Sequence, residues 1–452
     1  MAARWANAVQ LAMLACLLLG SYLRSDALVL LAAGLMLVDV TAHYPRLLGL
    51  ARLFLPLAAL AGAVLMALPD GPQALARAMA QGVGFAALMT VIALLRHPVR
   101  RSPRVQDAAG YLTSFTPRFR YGALNAGAMG LALLFNVGII TMIGDLMRRP
   151  DEAHVTDPTR RAMVVAAMRG AALVSIWSPL GIGFAIVIAG IPALNPTAFL
   201  ALAAATTVVA LAITARWPLL PPEATIAHLP QQPGTRSPRA LLQVLLICAL
   251  VLALTLLLHH WAGVSFTIAS ITVLPAFAAI WLLAEASPPS DGTRLRAYQK
   301  AVSGLGDMRS EGAIFMAANV IGTMIAALVG AAHLGAGSFG AGAGTLPVLL
   351  GLLVLIPLSA ALYLPNSIVV VIAAQIFGTG PLGQDHPLAL GLVLAVGWAS
   401  AIAVSPVSAM NLLLARACGV SAPHAARRWN PGFSSVLTVI GAVVVSFLVG
   451  AG

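Results

Sequence analysis

Long apolar runs recur along the whole chain, and they restrict its fold more than any other feature of the sequence. About 18 consecutive apolar residues let a helix cross the hydrocarbon core of a bilayer, where it satisfies its own backbone hydrogen bonds. The candidate runs lie at residues 7–23, 27–42, 51–68, 77–95, 122–147, 162–190, 197–215, 240–258, 263–284, 312–335, 346–377, 387–415 and 432–450. The sequence therefore predicts an all-α, polytopic membrane protein with roughly 10 to 13 apolar segments.

The composition agrees with this prediction. Of the 452 residues, 60% are hydrophobic and only 9% are charged, whereas soluble domains carry roughly a quarter charged residues. Little chain is left for a soluble domain. No convincing small-residue cleavage site follows the first apolar run, so residues 1–26 are predicted to be an uncleaved N-terminal transmembrane helix. An alanine-rich chain with few charges is typical of the bacterial inner membrane.

The formal net charge of +12 comes from basic residues in short loops between apolar runs. The positive-inside rule explains these loops better than nucleic-acid binding does, so no nucleic acid is expected as a partner. The most basic loop spans residues 96–120, and a cytoplasmic position for it also places the N-terminus in the cytoplasm. The cysteines and histidines show no metal-binding spacing, so neither a metal site nor a cofactor is predicted.

Two basic loops, residues 96–120 and 148–161, flank a single apolar run at 122–147. Both loops can be cytoplasmic only if that run enters the membrane and returns, which predicts a re-entrant hairpin. Irregular backbone at membrane depth is tolerated where it lines a cavity, so a hairpin suggests a solute pathway. An ordinary helix with one basic loop on the outer side remains the alternative.

Two segments of the chain look like copies of two others, which indicates an internal repeat. LFNVGIITMIG resembles AANVIGTMIAAL and places Asn136 opposite Asn319. Further along, AALVSIWSPLGIGFAIVIAGI resembles AALYLPNSIVVVIAAQIFG and pairs Ser178 with Pro365-Asn366-Ser367. The predicted organisation is a first repeat at 27–216, a cytoplasmic linker at 217–238 and a second repeat at 239–452.

Proline interrupts several of the apolar runs beside Ser or Asn. Proline removes a backbone donor and frees carbonyl groups, which Ser, Asn, water or an ion must then satisfy. A third interruption, AIAVSPVSAMNLLLAR, carries Ser405, Ser408 and Asn411. Such breaks expose backbone groups at mid-membrane depth, where half-helix N-termini favour anions and unwound carbonyls can hold a cation. Simple helix curvature remains the alternative interpretation.

This arrangement of hairpin and broken helix resembles the ion transporter superfamily of secondary carriers, which includes dicarboxylate, citrate, gluconate and arsenite transporters. The resemblance is architectural, and no Ser-Asn-Thr triplet of that family occurs at either predicted hairpin. It implies that hairpin tips and helix breaks form the substrate and cation site. The residues that it implies are Asn136 with Thr141 and Asn319 with Thr323 at the hairpins, and Ser178 with Gly181 and Asn366 with Ser367 at the breaks.

The repeats of that superfamily are inverted, which requires an odd number of crossings between equivalent elements. The apolar runs give an even number and place both hairpins on one side of the membrane, so one segment must be counted wrongly. Residues 346–377 are long enough for either a broken helix or a second hairpin. Both possibilities stay open because the charge bias does not decide between them.

Few charged residues fall within the apolar runs, where they are costly and usually functional. Arg169 lies about nine residues before Ser178, roughly 13 Å along a helix. Its guanidinium could neutralise an anionic substrate, or it could extend to the cytoplasmic surface, and both interpretations stay open. Asp39 and Asp145 lie at the ends of their runs, where a solvated or capping role is expected.

These features predict a secondary active transporter of a small, anionic solute, coupled to H⁺ or Na⁺, with alternating access of the elevator type. No GxxxxGK[ST] loop occurs, which argues against ATP-driven transport by this chain. A channel, or the membrane subunit of a multi-component permease, is one alternative, and a membrane-embedded transferase is another. Catalysis is not expected, because the charged clusters are confined to basic loops. The expected partners are membrane lipid and the solute, and a homodimer is compatible with the sequence.

Overall fold

A computed structural model describes residues 2–100, 102–227, 238–284, 304–331 and 344–450. All regular elements within those ranges are helices, and eight of them are long and apolar enough to cross a membrane. The predicted all-α, polytopic fold is therefore confirmed. Part of the predicted linker, residues 228–237, lies outside the described residues.

The chain forms two compact units. The first unit contains residues 1–99 and 250–336, and the second contains 100–249 and 337–452. Each unit combines an earlier and a later segment of the chain, and neither end of the predicted linker is a boundary of a unit. The boundaries of the compact units therefore differ from those of the predicted repeats.

The first unit begins with two apolar helices, α1 (Ala2–Leu23) and α2 (Asp26–Ala42), which form an antiparallel pair. Its other helices are α3 (Gly49–Met66), α4 (Gly71–Arg100), which ends at the unit boundary, α12 (Phe266–Ala284) and α13 (Arg309–Ala331). The helix α11 (Pro238–Ala262) runs from the second unit into the first. Packing of α13 along α3 supplies much of the apolar contact of this unit.

One carboxylate in the first unit differs from the sequence-based expectation. The side chain of Asp39 is only 1% exposed, and it accepts hydrogen bonds from Gln10 Nε2 (2.9 Å) and Arg309 Nε (2.7 Å). It therefore has a buried ion pair and is not solvated. The sequence could not show this, because the partner arginine lies 270 positions further along the chain.

The helix α13 also corrects the predicted position of Asn319. Residues 309–331 form a continuous helix in the first unit, so neither Asn319 nor Thr323 lies at a hairpin tip. The interior of α13 contains no proline, and nothing in its local sequence interrupts the hydrogen-bond ladder. The short similarity to the segment around Asn136 therefore did not predict a shared backbone conformation.

The second unit begins with α5 (Pro103–Thr113), α6 (Pro117–Phe135) and α7 (Gly138–Met147). The chain turns between α6 and α7 at Asn136, whose φ is 50°. The loop at 219–227 contacts the starts of two helices. Arg120 Nη1, at the start of α6, donates to Ala227 O (3.4 Å). Thr225 N donates to Pro158 O (3.2 Å), at the start of α8 (Pro158–Trp177). Arg160 Nη1 also reaches Met147 O (3.3 Å) at the end of α7. Both ends of residues 117–147 therefore lie on one side of the unit, as the predicted hairpin requires.

The run at 162–190 is a broken helix. The helix α8 ends at Trp177, residues 178–181 are extended or turning, and α9 (Ile182–Gly190) continues before α10 (Pro196–Arg216). A second broken helix consists of α17 (Pro387–Val404) and α18 (Ala409–Cys418), with the interruption at residues 405–408.

Residues 345–377 form a second hairpin. The helices α14 (Thr345–Ala361) and α15 (Asn366–Phe377) are joined by a turn in which Tyr363 has a φ of 69°. Ile356 of α14 packs beside Gly397, well along α17, whereas Gly378 packs beside Gly190, close to the start of α17. The chain therefore advances along α17 and then comes back, which decides between the two possibilities that the sequence left open.

The second unit consequently contains two hairpin-and-broken-helix pairs. The helix α6 packs on α8 and α10, and in the same way α14 packs on α17 and on the last helix, α20 (Pro431–Gly450). The short elements α16 (Pro381–Asp385) and α19 (Ala422–His424), with a π-helical turn at Ala425–Trp429, complete the chain.

The two pairs run in opposite directions through the unit. Arg169 lies at the level of Asn411 because both bond Asn430, whereas Gly183 lies beside Trp398. The broken helix α8–α9 is therefore antiparallel to the broken helix α17–α18. The equivalent of the Ser178 break is the one at 405–408, and the sequence-based pairing with residues 365–367 was wrong.

Candidate functional site

Four interruptions of helical backbone concentrate in the second unit, and most of the predicted site residues lie at or near them. The predicted residues found in this unit are Asn136, Thr141, Arg169, Ser178, Gly181, Asn366, Ser367, Ser405, Ser408 and Asn411. Asn319 and Thr323 belong to the first unit. The candidate site is therefore the set of two hairpin turns and two helix breaks.

The second helix break is held open by its own polar side chains. The amide of Asn411 donates to three carbonyl groups that the break leaves without helical partners, Ile402 O (3.2 Å), Ala403 O (2.7 Å) and Ser405 O (2.9 Å). The Ser408 hydroxyl donates to Ile402 O as well (2.8 Å). Ser408 and Asn411 therefore stabilise the unwound backbone, and their donors are already used.

The first break is closed by a tight turn. The Ser178 hydroxyl accepts a bond from Leu180 N (3.3 Å), and Gly181 N donates to Ser178 O (3.0 Å). A Cβ atom on Gly181 would lie 3.2 Å from Ser178 O, which is a tight contact. Gly181 is thus suited to this turn because it lacks a side chain.

Three buried polar atoms at the interruptions have no hydrogen-bond partner among the residues that the structure describes. They are Trp177 Nε1, directly before the first break, Ser405 Oγ, in the second break, and Asn366 Nδ2, directly after the turn of the second hairpin. Each can donate a hydrogen bond. Buried polar groups are normally paired, so three unpaired donors at these positions are suited to bind a ligand that accepts hydrogen bonds.

Of these three residues, Trp177 was not predicted from the sequence. Tryptophan has a large apolar surface, so within an apolar run it is usually interpreted as a packing residue. Its position next to the Ser178-Pro179 break was the one available signal.

Both hairpin turns start a new helix. Asn136 is partly exposed at the first turn, and Thr141 Oγ1 donates to Gly138 O (3.0 Å) in the first turn of α7. Ser367 is buried in the first turn of α15. Because α7, α9, α15 and α18 all begin at an interruption, four helix N-termini with their partial positive charge lie there.

Arg169 is fully buried, and all five of its N–H groups have acceptors. The acceptors are Asn430 Oδ1 (3.3 Å), Tyr121 Oη (2.9 Å), Pro218 O, Leu219 O (3.1 Å) and Trp429 O (2.7 Å). The Phe433 ring lies under the guanidinium, with its centroid 5.4 Å from Cζ. Arg169 therefore neither reaches the surface nor presents a free guanidinium to an anion.

Asn430 connects this arginine to the second break. Its Nδ2 donates to Asn411 Oδ1 (3.1 Å) while its Oδ1 accepts from Arg169 Nε. A continuous hydrogen-bonded chain thus runs from Arg169 through Asn430 and Asn411 to the freed carbonyl groups. The sequence did not predict this role, because an asparagine before Pro431 has the pattern of an ordinary helix cap.

The partly exposed carboxylate of Glu223 connects the loop at 219–227 to the segment at 424–429 through hydrogen bonds. Glu223 accepts from His424 Nε2 (3.1 Å) and from Trp429 Nε1 (2.8 Å). Burial alone would raise the pKa of Glu223, but its hydrogen bonds to backbone, His424 and Trp429, with the charge of His424, lower the pKa below its ordinary value. No group of three or more His, Cys, Asp or Glu side chains suited to a metal ion occurs in the described part of the chain.

No protein-family model and no curated protein sequence matches this chain. Among solved structures, the chain is similar to the YdaH transporter of Alcanivorax borkumensis, which is described as having an unusual topology. The TM-score is 0.54 and the identity 18%, over 89% of this chain and 97% of the YdaH chain. At this identity the similarity shows a shared fold. It does not show membership of the ion transporter superfamily.

Proposed function

We propose that this protein is a secondary active transporter that binds a small anionic solute at the interruptions of the second unit. The observation that carries the proposal is the pair of inverted hairpin-and-broken-helix motifs. Discontinuous helices in transporters place backbone groups at the bilayer midplane, where they bind substrate and coupling ions. The similarity in fold to a transporter supports the same function.

The chemistry of the interruptions favours an anion. Trp177, Asn366 and Ser405 offer unpaired donors, and four helix N-termini begin there. Neutral donors and helix N-termini together bind carboxylate, phosphate or sulfate groups well. Because Arg169 already uses all its donors, the solute would be held without a direct arginine contact. Coupling to H⁺ or Na⁺ would use backbone carbonyl groups of the breaks, and the second unit would move as one body in an elevator-type cycle.

Counterflow in liposomes tests this proposal. The purified protein is reconstituted and preloaded with unlabelled di- and tricarboxylates, sugar acids or oxyanions, and uptake of the same labelled solute is followed. We expect saturable exchange with at least one anion, and accumulation only with an imposed H⁺ or Na⁺ gradient. Flux that does not saturate would indicate a channel and would contradict the proposal.

Substitutions locate the binding site. Ser405→Ala, Asn366→Ala and Trp177→Phe each remove one unpaired donor, and each should raise the KM by about tenfold for one lost bond to a charged ligand. Ser446→Ala is the matched control, because its hydroxyl donates to Ala442 O (2.8 Å) on the exposed surface of α20. An unchanged KM in all three variants would remove the proposed site even if transport is observed.

A further inference from the structure

The first unit contains a cavity at the open end of the α1–α2 pair, about 490 Å³ in volume. It is lined by Trp5, Ala42, His43, Pro45 and Arg46. The α1–α2 pair turns at Arg24 and Ser25, so the cavity lies at the far end of α2, a helix of 17 residues. Such a helix is about 26 Å long, close to the thickness of the hydrocarbon core. The cavity therefore lies at the level of the lipid headgroups if the pair crosses the bilayer.

The side chains around this cavity combine positive charge with an aromatic surface. The Trp5 indole is 48% exposed and stacks on the His43 ring, with 6.5 Å between ring centroids and 26° between planes. The Arg46 side chain is exposed and has no ion-pair or hydrogen-bond partner among the described residues. Tryptophan and arginine are among the residues that anchor proteins at the membrane interface.

The buried carboxylate of Asp39 does not pair with Arg46. Asp39 lies one turn before His43, and its buried carboxylate accepts hydrogen bonds from Arg309 and Gln10. His43 Nδ1 also faces Asp39, 2.8 Å from its carbonyl oxygen and 3.2 Å from Oδ1. Because Asp39 is occupied by these groups and no carboxylate lines the cavity, the Arg46 guanidinium is the charged group that the cavity offers to a ligand.

Apolar surface continues from the cavity along α2. Leu37 and Val38 are 38% and 48% exposed, and Leu30 and Leu31 lie further along the same helix, also exposed. A soluble anion would leave this apolar surface uncovered, whereas the acyl chains of a lipid would bury it. We propose that this cavity binds the phosphate of an anionic glycerophospholipid, with Arg46 and the Trp5 indole N–H on the headgroup and the acyl chains along α2.

Native mass spectrometry of the full-length protein in detergent tests the proposal. The protein is titrated with phosphatidylglycerol or with phosphatidylcholine, and the bound fractions give apparent dissociation constants. We expect tighter binding of phosphatidylglycerol, and Arg46→Gln should weaken it by about fivefold, the effect of one interfacial cation. Arg46→Lys should retain most of the affinity, and Trp5→Phe should lose part of it.

The matched control is Arg52→Gln, which removes the same charge at an exposed position outside the cavity lining. We expect Arg52→Gln to change the phosphatidylglycerol affinity by less than twofold. Equal effects of the two substitutions would show a diffuse surface charge instead of a site, and would overturn the proposal. Competition by glycerol 3-phosphate at the same concentration as the lipid would identify a soluble phosphate as the ligand, which also overturns it.

Discussion

Arg169→Lys is the most informative single substitution, because it keeps the charge and removes the geometry. A lysine ammonium has three N–H groups, so at least two of the five acceptors of Arg169 lose their donor. Each buried orphaned acceptor costs about 1–3 kcal/mol, which adds up to about 2–6 kcal/mol. This is a large share of the roughly 5–15 kcal/mol that stabilises a typical domain.

The loss is measured by thermal unfolding of the purified protein in detergent. A lowering of the Tm by roughly 4–12 °C is expected, at about 2 °C per kcal/mol. Arg160→Lys is the matched control, because Arg160 makes a single side-chain bond, to Met147 O at 3.3 Å. Its Tm should fall by about 2 °C or less, for one bond of about 1 kcal/mol. A wild-type Tm for Arg169→Lys, with anion affinity reduced, would refute the structural role and restore Arg169 as a ligand of the solute.

Three further outcomes follow from the same contacts. Asn411→Ala should lower the stability by about 2 kcal/mol, for the two N–H groups of the lost amide at about 1 kcal/mol each. Ser405→Ala should leave the Tm within about 1 °C and raise only the transport KM, so thermal unfolding and counterflow separate the two effects. The wild type should be more stable than Glu223→Gln above about pH 4.5, because the folded state lowers the pKa of the Glu223 carboxyl. This advantage should be lost as the pH falls through that lowered pKa. Unfolding midpoints measured between pH 3 and 7 check this prediction. Gly170→Ala should cost about 1–3 kcal/mol, because the new Cβ would overlap Asn125 O on α6, and an unchanged Tm would contradict the close packing.

The hairpin at residues 117–147 was predictable because its signal is local. Two basic loops flank one apolar run, and both loops must lie on the same side of the membrane. The break at Ser178-Pro179 was predictable from a local signal as well, proline next to serine in an apolar run, although proline alone is not sufficient because Pro56 and Pro275 lie inside continuous helices. Ser405, Ser408 and Asn411 were found in the same way.

Equivalence between distant segments was not predictable from short similarities. Asn319 shares its neighbours with Asn136, yet one residue lies in a continuous helix and the other in a turn. A turn at Asn136 depends on how α6 and α7 pack on α8, which a match of about ten residues does not contain. The second hairpin needed the packing of Ile356 and Gly378 to be distinguished from a broken helix.

Local sequence was enough to establish a helical membrane protein and the two helix breaks at Ser178 and Ser405, because hydrophobic length and proline beside serine act on the backbone next to them. Whether an intramembrane charge is free to bind a ligand depends instead on contacts between distant segments. The sequence does not distinguish Arg169 from a functional intramembrane charge, or Asp39 from a solvated one, and their buried partners include residues 29 to 270 positions away. Hydrogen-bond partners of buried side chains are set by packing, and packing brings together residues that no local pattern connects.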